Sequence, residues 1–258
     1  MFMTEPQPSG GFEWAQAPGG AFLRCAPLQP LADHFFTAGS LQLREDQAEW
    51  DAVAALAGVP RERLLLLHQV HGRTVAIASK CSTTSWHLPE ADVVISNDPS
   101  VALVVRVADC APILLADRRT GAVAAIHAGW RSTMHRIVDA TVSSMRHTYG
   151  TNPIDVVAAI GPSLGFCCGE MGEEVVAAFR QSGHDDAAID RWFKREPGRR
   201  PHFDLWRANR EQLEQAGVPP TAIHVSALCT RTHPEMFHSY RAAGPKAGRM
   251  AAVIRANR

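Results

Sequence analysis

Apolar residues fall along this chain in short runs broken by polar, turn-forming clusters, and the two clearest runs lie back to back. Residues 111–117 (APILLAD) and 122–127 (AVAAIH) flank Arg118-Arg119-Thr120-Gly121, the pattern of a β-hairpin. With the turn centred near Arg119 and Thr120, antiparallel pairing sets Ala111 or Cys110 opposite His127, where facing Cβ atoms lie about 4.5–5.5 Å apart. Cys110 and His127 therefore meet at the open end. The run His127-Ala-Gly-Trp-Arg131 then leaves the strand through a glycine, so the site lies beside a helix N-terminus that favours anions.

Elsewhere the pattern alternates between strand and helix. Residues 1–20, rich in Pro, Gly and Gln, read as a flexible lead-in with Phe12 and Trp14 as its candidate anchors. Short strands are predicted at 21–25 and 34–37. A helix follows at 46–57, where Trp50, Val53, Ala54 and Leu56 recur at helical spacing before Gly58. The run 64–70 (LLLLHQV) predicts a buried strand, with 74–79 as its partner, and 80–90 reads as a polar loop. Strands 93–96 and 101–107 flank the turn Asp98-Pro99-Ser100. Beyond the hairpin, Met134, Ile137, Val138, Val142 and Met145 predict one amphipathic helix over 132–148, closed by Gly150. A strand at 154–160 and a helix at 172–180 come next, then a polar excursion to Pro201. Asp204 caps a helix over 204–215, and strands at 223–228 and 251–254 complete the chain. Strands joined by tight turns, without strict βα repetition, favour a mixed α/β domain with antiparallel pairs over a doubly wound sheet.

Composition narrows the classes. Of 258 residues 46% are hydrophobic, ample for one globular core or two small ones. Lysine plus arginine equals aspartate plus glutamate at 26 each, so no global charge attracts nucleic acid or an anionic membrane, and any anion site must be local. No uncharged apolar stretch long enough to span a bilayer and no signal-like amino terminus stand out, which reads as a cytoplasmic protein. The six cysteines are scattered, with Cys167 and Cys168 adjacent, and read as reduced thiols rather than a disulfide framework.

Three residues that each close an apolar run suit a His₂Cys metal site with one position open, the arrangement of catalytic zinc. Cys110 and His127 supply two ligands. His68 and His71 compete for the third, and His71, beside Gly72 at a strand end, is better placed for an open cleft, with Gln69 on the substrate side. Asp109 is a candidate general base or ligand-orienting group, and Cys168 a candidate proton-transfer thiol in a Gly-rich turn. Arg131 is a candidate anion-binding residue. Cys229-Thr230 and 237–241, with Arg241, form a candidate second wall of the cleft, in which His238 reads as a satisfied core histidine.

These residues belong to an ordered set of motifs: HQVHG at 68–72, ADCAP at 108–112, HAGWR at 127–131, IGPSLGFCC-x-E-x-G at 160–172, DL…N…QL…GV at 204–218 and CT…FHSYR at 229–241. Together they closely resemble the laccase-domain family, also called polyphenol oxidase or multi-copper oxidase-like proteins, over 64–254. The resemblance implies a single α/β/β/α-layered domain, here residues 21–258, with a metal held by His71, Cys110 and His127. It further implies purine nucleoside phosphorylase activity, accompanied in some members by adenosine deaminase and methylthioadenosine phosphorylase activity; a bacterial branch is linked to peptidoglycan editing. The sequence departs from the family pattern at Ser132, where a glycine is usual, at Gly169 in the CCYE motif, and at Ala242 after Arg241. The glycine-serine-rich loop and GDD…N segment common in the family are not evident near residues 37–50.

The expected function is thus a zinc enzyme acting on a purine nucleoside and phosphate, as a monomer or weak dimer, with Asp109 and Cys168 in proton transfer and Gln69, Arg131 and Arg241 on substrate. Copper at the same ligands and laccase-type oxidation of phenols form the alternative, weakened because the chain has no His-x-His pair. A peptidoglycan-editing factor with a structural metal is the third reading.

Overall fold

The computed structural model describes residues 5–44, 46–78 and 90–257. In chain order the strands are β1 (Phe12–Ala17), β2 (Gly20–Cys25), β3 (Ala32–Thr37), β4 (Leu64–Leu65), β5 (Val75–Ile77), β6 (Val93–Ser96), β7 (Ala102–Val107), β8 (Ala111–Asp117), β9 (Val123–Ala128), β10 (Val156–Ile160), β11 (Phe193–Lys194), β12 (His202–Phe203), β13 (Ile223–Val225) and β14 (Met250–Ala256). The helices are α1 (Gln47–Ala57), α2 (Trp130–Met134), α3 (Ile137–Tyr149), α4 (Glu173–Gln181), α5 (Asp186–Trp192), α6 (Leu205–Gln215) and α7 (Tyr240–Ala243). None of them is long and apolar enough to cross a membrane.

Two six-stranded sheets, ordered β1-β2-β3-β14-β7-β4 and β13-β10-β8-β9-β6-β5, carry the fold. β4 with β7, β5 with β6 and β10 with β13 run parallel; the remaining neighbours are antiparallel, giving the mixed α/β class. β7 and β14 pack against β8 and β9. The two-residue period of β7 explains how one strand serves two layers. Leu103, Val105 and Val107 enter the main core, whereas Ala102 and Val104 join Trp50, Val53 and Ala54 of α1 in a second cluster on the other face. Helices α3 and α6 cover the second sheet, which completes an α/β/β/α stack.

Helix ends follow the local chemistry. Asp46 accepts from Ala48 N to start α1, Gly58 at φ 66° ends it, and Asp204 accepts from Arg207 N at the start of α6.

Several elements differ from the sequence-based expectation. The segment read as a flexible lead-in contains β1, paired along its length with β2, with Phe12 packed on Phe36 and Trp14 stacked on Phe237. Residues 1–4 of that lead-in lie outside the described residues, as do 79–89, which include nearly all of the expected polar loop at 80–90. The run 64–70 forms a strand only at Leu64–Leu65, and 75–77 pairs with β6 instead, because the chain between them passes from the first sheet to the second. The single helix expected over 132–148 is two. Arg136 takes a left-handed φ of 57° between them, its guanidinium donating to the Ser182 and Gly183 carbonyls, while Gln212 and Asn209 of α6 bind the Thr133 carbonyl and hydroxyl. The polar excursion before Pro201 holds α5 and the β11–β12 ladder, anchored by Trp192, Phe193 and Phe203 around Phe179.

Candidate active site

The hairpin is present as β8 and β9, but its register places Pro112, not Ala111 or Cys110, opposite His127. Cys110 lies just outside the ladder, and Asp109 before it turns the chain at φ 86°. Residues 108–110 carry the chain from β7 in the first sheet to β8 in the second. His71 occupies the other crossing, between β4 and β5, and is itself left-handed at φ 60°. Non-glycine residues in this region are strained, and both are held there by surrounding contacts.

For His71 those contacts come from both sheets. Gln69 faces the first: its amide accepts from Arg106 N and donates to Arg106 O, each at 2.8 Å. Asp92, at the head of β6 and fully buried, faces the second. Its carboxylate accepts from the N–H groups of Val70 at 3.3 Å, His71 at 3.0 Å and Gly72 at 2.6 Å, and from His127 Nδ1 at 2.7 Å. Burial opposes the charge on Asp92, but the hydrogen bonds from His127 and these backbone groups outweigh it and hold the carboxyl below its usual range. His127 is thereby fixed with its proton on Nδ1, leaving Nε2 for a metal. Asp92 is not among the site residues expected from sequence; its signal is an acidic residue opening the apolar run Val93–Ile95.

His71, Cys110 and His127 offer ligand atoms that all lie within 4.8 Å of one another. Around one tetrahedral ion with bonds of about 2.0–2.3 Å the ligand atoms stand roughly 3.3–3.8 Å apart, so a small closure of the trio suffices. The rings of His71 and His127 meet edge to face, with centroids 4.7 Å apart. Burial pushes the Cys110 thiol up, yet the His127 charge and hydrogen bonds from both imidazoles overcome it and favour the thiolate a metal requires. The Cys110 thiolate and the Asp92 carboxylate raise His127 against its own burial. Gly129 leaves the room: a Cβ there would stand 2.9 Å from Cys110 Sγ and 3.2 Å from His71 Cδ2. Two nitrogens and a sulfur with one side open fit zinc or copper.

The trio borders a cleft of about 850 Å³. His68, the competing histidine, lines it without joining the trio. Gln69 also lines it, although both ends of its amide are engaged by Arg106. Asp109 lies on the wall, its carboxylate accepting from Thr230 Oγ1 at 2.6 Å and Arg241 N at 2.5 Å. The segment 229–241 is therefore a second wall, as its pattern indicates. Arg131 lines the cleft with its guanidinium 4.3 Å over the Trp130 ring. Arg241 lines it too, but its Nη1 donates to the carbonyls of Cys168 and Glu170. Cys168 is not among the lining residues; its sulfur faces Cys167 and Cys229 instead. His238 Nε2 is satisfied by the Leu41 carbonyl at 2.8 Å.

Three further arginines, Arg44, Arg106 and Arg249, line the same cleft. Burial and the nearby Arg249 charge both press the Arg106 guanidinium downward, and no carboxylate bonds it among the described residues. Sequence pattern gave no sign of them, since they come from three distant segments. Trp130, Met171, Phe203 and Tyr240 add apolar and aromatic surface.

The family model described as multi-copper polyphenol oxidoreductase laccase matches residues 45–257. Purine nucleoside phosphorylase of Bacteroides thetaiotaomicron is 42% identical over 163 residues, which cover 63% of this chain and 60% of that protein, less than two thirds of its length. Adenosine deaminase RL5, from an unknown prokaryotic organism, is 34% identical over 204 residues, 76% of each chain. The crystal structure of YlmD from Geobacillus stearothermophilus superimposes with a TM-score of 0.86 at 27% identity, covering 97% of this chain and 100% of that one.

Proposed function

The chain belongs to the multi-copper polyphenol oxidoreductase laccase family, and from that premise we propose that it is a zinc-dependent purine nucleoside phosphorylase that also deaminates adenosine and cleaves methylthioadenosine. The observation that carries the reading is a single cleft in which a His₂Cys trio, open on one side, faces aromatic surface and a group of arginines. Similarity to proteins named purine nucleoside phosphorylase and adenosine deaminase supports the choice of substrate.

Held by His71, Cys110 and His127, zinc would supply Lewis acidity to an oxygen at its open position. Trp130, Met171 and Tyr240 offer flat or apolar faces for the purine. Arg106, with Arg249 and Arg44 beside it, and Arg131 offer positive charge for phosphate. In phosphorolysis a phosphate oxygen bonds to the ribose anomeric carbon as the bond to the purine nitrogen breaks. The electron pair leaves with the base, which takes up a proton. Asp109 is the cleft carboxyl placed to hold or pass that proton, oriented by Thr230 Oγ1 and Arg241 N. In deamination water adds at the purine C6 and ammonia leaves, with the same carboxyl as proton carrier.

Incubation of the metal-analysed protein with inosine, adenosine and phosphate tests the proposal, with Cys110→Ala in parallel. Stoichiometric zinc and release of hypoxanthine with ribose-1-phosphate, both lost in the variant, are expected. Zinc-free active protein, or activity untouched by Cys110→Ala, would sink it. Phenol oxidation is the runner-up, because the trio also suits copper. The other donor cluster among the described residues, Cys167, Cys168 and Cys229, brings no histidine toward a multi-copper assembly.

A further inference from the structure

Away from the His₂Cys trio, three more thiols converge. Cys167 and Cys168 sit on a single 3₁₀ turn, Phe166–Cys168, and Cys229 lies on the segment after β13, bridged to Ser163. Their sulfurs all lie within 4.8 Å of one another, and Cys167 Sγ is 3.7 Å from Cys168 Sγ. A disulfide would bring two sulfurs to about 2.05 Å. Three thiolates bound to one ion at about 2.3 Å stand roughly 3.8–4.0 Å apart, close to the 3.7 Å between Cys167 and Cys168 and inside the 4.8 Å that bounds all three.

The surroundings are built to keep this spacing. Gly165 N donates to Cys229 Sγ at 3.2 Å, and a Cβ on Gly165 would press Cys229 Cβ at 3.0 Å and the Trp206 ring at 2.9 Å. Gly169 on the far side of the turn lies against Phe203 O, which a Cβ would meet at 2.3 Å. Both glycines let the turn wedge its two cysteines toward the third. Exposure is graded, with Cys229 buried, Cys168 half-buried and Cys167 exposed, so the cluster has a floor and an entrance.

We propose that Cys167, Cys168 and Cys229 form a second metal site, separate from the His71–Cys110–His127 trio, that takes a soft monovalent ion, Cu(I), in three-coordinate sulfur ligation. Among the described residues no carboxylate or imidazole joins the cluster, and an all-sulfur set selects thiophilic ions over harder ones. Three ligands satisfy Cu(I) without a fourth, whereas zinc would need one more. The site is wired to the cleft from both ends. The Cys168 carbonyl accepts from Arg241, whose N–H holds Asp109, and Thr230, next to Cys229, holds the other Asp109 oxygen. An ion joining the two cysteine segments would clasp the two partners of Asp109 together.

The test is anaerobic titration of reduced full-length protein, zinc-loaded except for Cys110→Ala, with Cu(I) in the presence of a chromogenic Cu(I) chelator, comparing wild type, Cys110→Ala, Cys167→Ser and the Cys167→Ser/Cys168→Ser pair. One equivalent held against the chelator is expected in wild type and in Cys110→Ala, with sulfur-to-copper charge-transfer absorption. Cys167→Ser should weaken it at least tenfold and the pair should abolish it. Cys167 is exposed, so its serine variant keeps the test valid even where the pair fails to fold. Loss of the equivalent in Cys110→Ala, full retention in Cys167→Ser, or a disulfide within the cluster and no bound Cu(I) would each overturn the proposal.

Discussion

Replacing Asp92 by asparagine isolates the contribution of a group that touches no substrate yet holds two of the three ligands. The carboxylate has four donors pointed at it: His127 Nδ1 and His71 N share Oδ1, and Val70 N and Gly72 N share Oδ2. Asparagine keeps the shape but has one accepting oxygen. If that oxygen takes the first position, the amide NH₂ confronts the Val70 and Gly72 N–H groups. If it takes the second, the NH₂ donates to His127 Nδ1 and drives the ring proton to Nε2, the nitrogen meant for the metal. Two part-buried donors are stranded in the first arrangement; full burial would cost about 1–3 kcal/mol each, so a loss of about 1–4 kcal/mol is expected. Metal affinity should fall about 10–100-fold through the misoriented histidine. Urea unfolding in chelator measures the first quantity free of metal, and competition with a zinc indicator measures the second. A stability loss below about 1 kcal/mol together with unchanged zinc affinity would refute the assignment of Asp92 as the common support of His71 and His127.

Other perturbations probe other parts of the structure. Gly129→Ala puts a methyl group into the space between Cys110 Sγ and His71; since Gly129 has an ordinary φ of −80°, circular dichroism should be unchanged while zinc affinity drops at least about tenfold. Arg106→Ala should raise the KM for phosphate by about tenfold or more, with a smaller effect on the KM for nucleoside, as steady-state kinetics in the two substrates will show. His34 is buried with Nε2 accepting from Cys25 N, and burial pushes it down to about 4 from 6.5. On acidification the unfolded chain binds the proton first, so stability is complete above pH 6.5 and falls by about 3 kcal/mol between pH 6.5 and 4. His34→Gln should flatten that slope in urea unfolding across the range.

The parts of the molecule legible in the sequence are those fixed by local pattern. The β8–β9 hairpin, α1 with Asp46 and Gly58, and α6 with Asp204 all follow from periodicity and caps. The convergence of His71, Cys110 and His127 was legible because each ends an apolar run. Its register was not, since Asp109 turns through a left-handed conformation that no propensity anticipates. Asp92 needed the fold, because its four partners come from segments separated from it by up to 35 residues. Arg44, Arg106 and Arg249 are unremarkable singly, and the cleft assembles them. The strand β1 was hidden by its Pro- and Gly-rich flanks and exists through pairing with β2. The break between α2 and α3 is likewise imposed from outside, by α6 gripping Thr133.

Both His71 and Cys110 ride on segments that step from one sheet to the other, while Arg106 belongs to the first sheet, Arg249 directly precedes its strand β14, and His127 belongs to the second. The gap between the halves of the cleft is therefore gauged by the side chains sandwiched in the interior, Leu103 and Val105 on one side and Leu114 and Ala125 on the other, all fully buried. Interior packing works here as a spacer for the reaction. Val105→Ala or Ala125→Val would reset the separation of the His71–Cys110–His127 trio and the arginines without altering any residue that lines the cleft. Variants altered in the size of the proposed nucleoside they accept should then arise in the middle of the protein as readily as at its mouth.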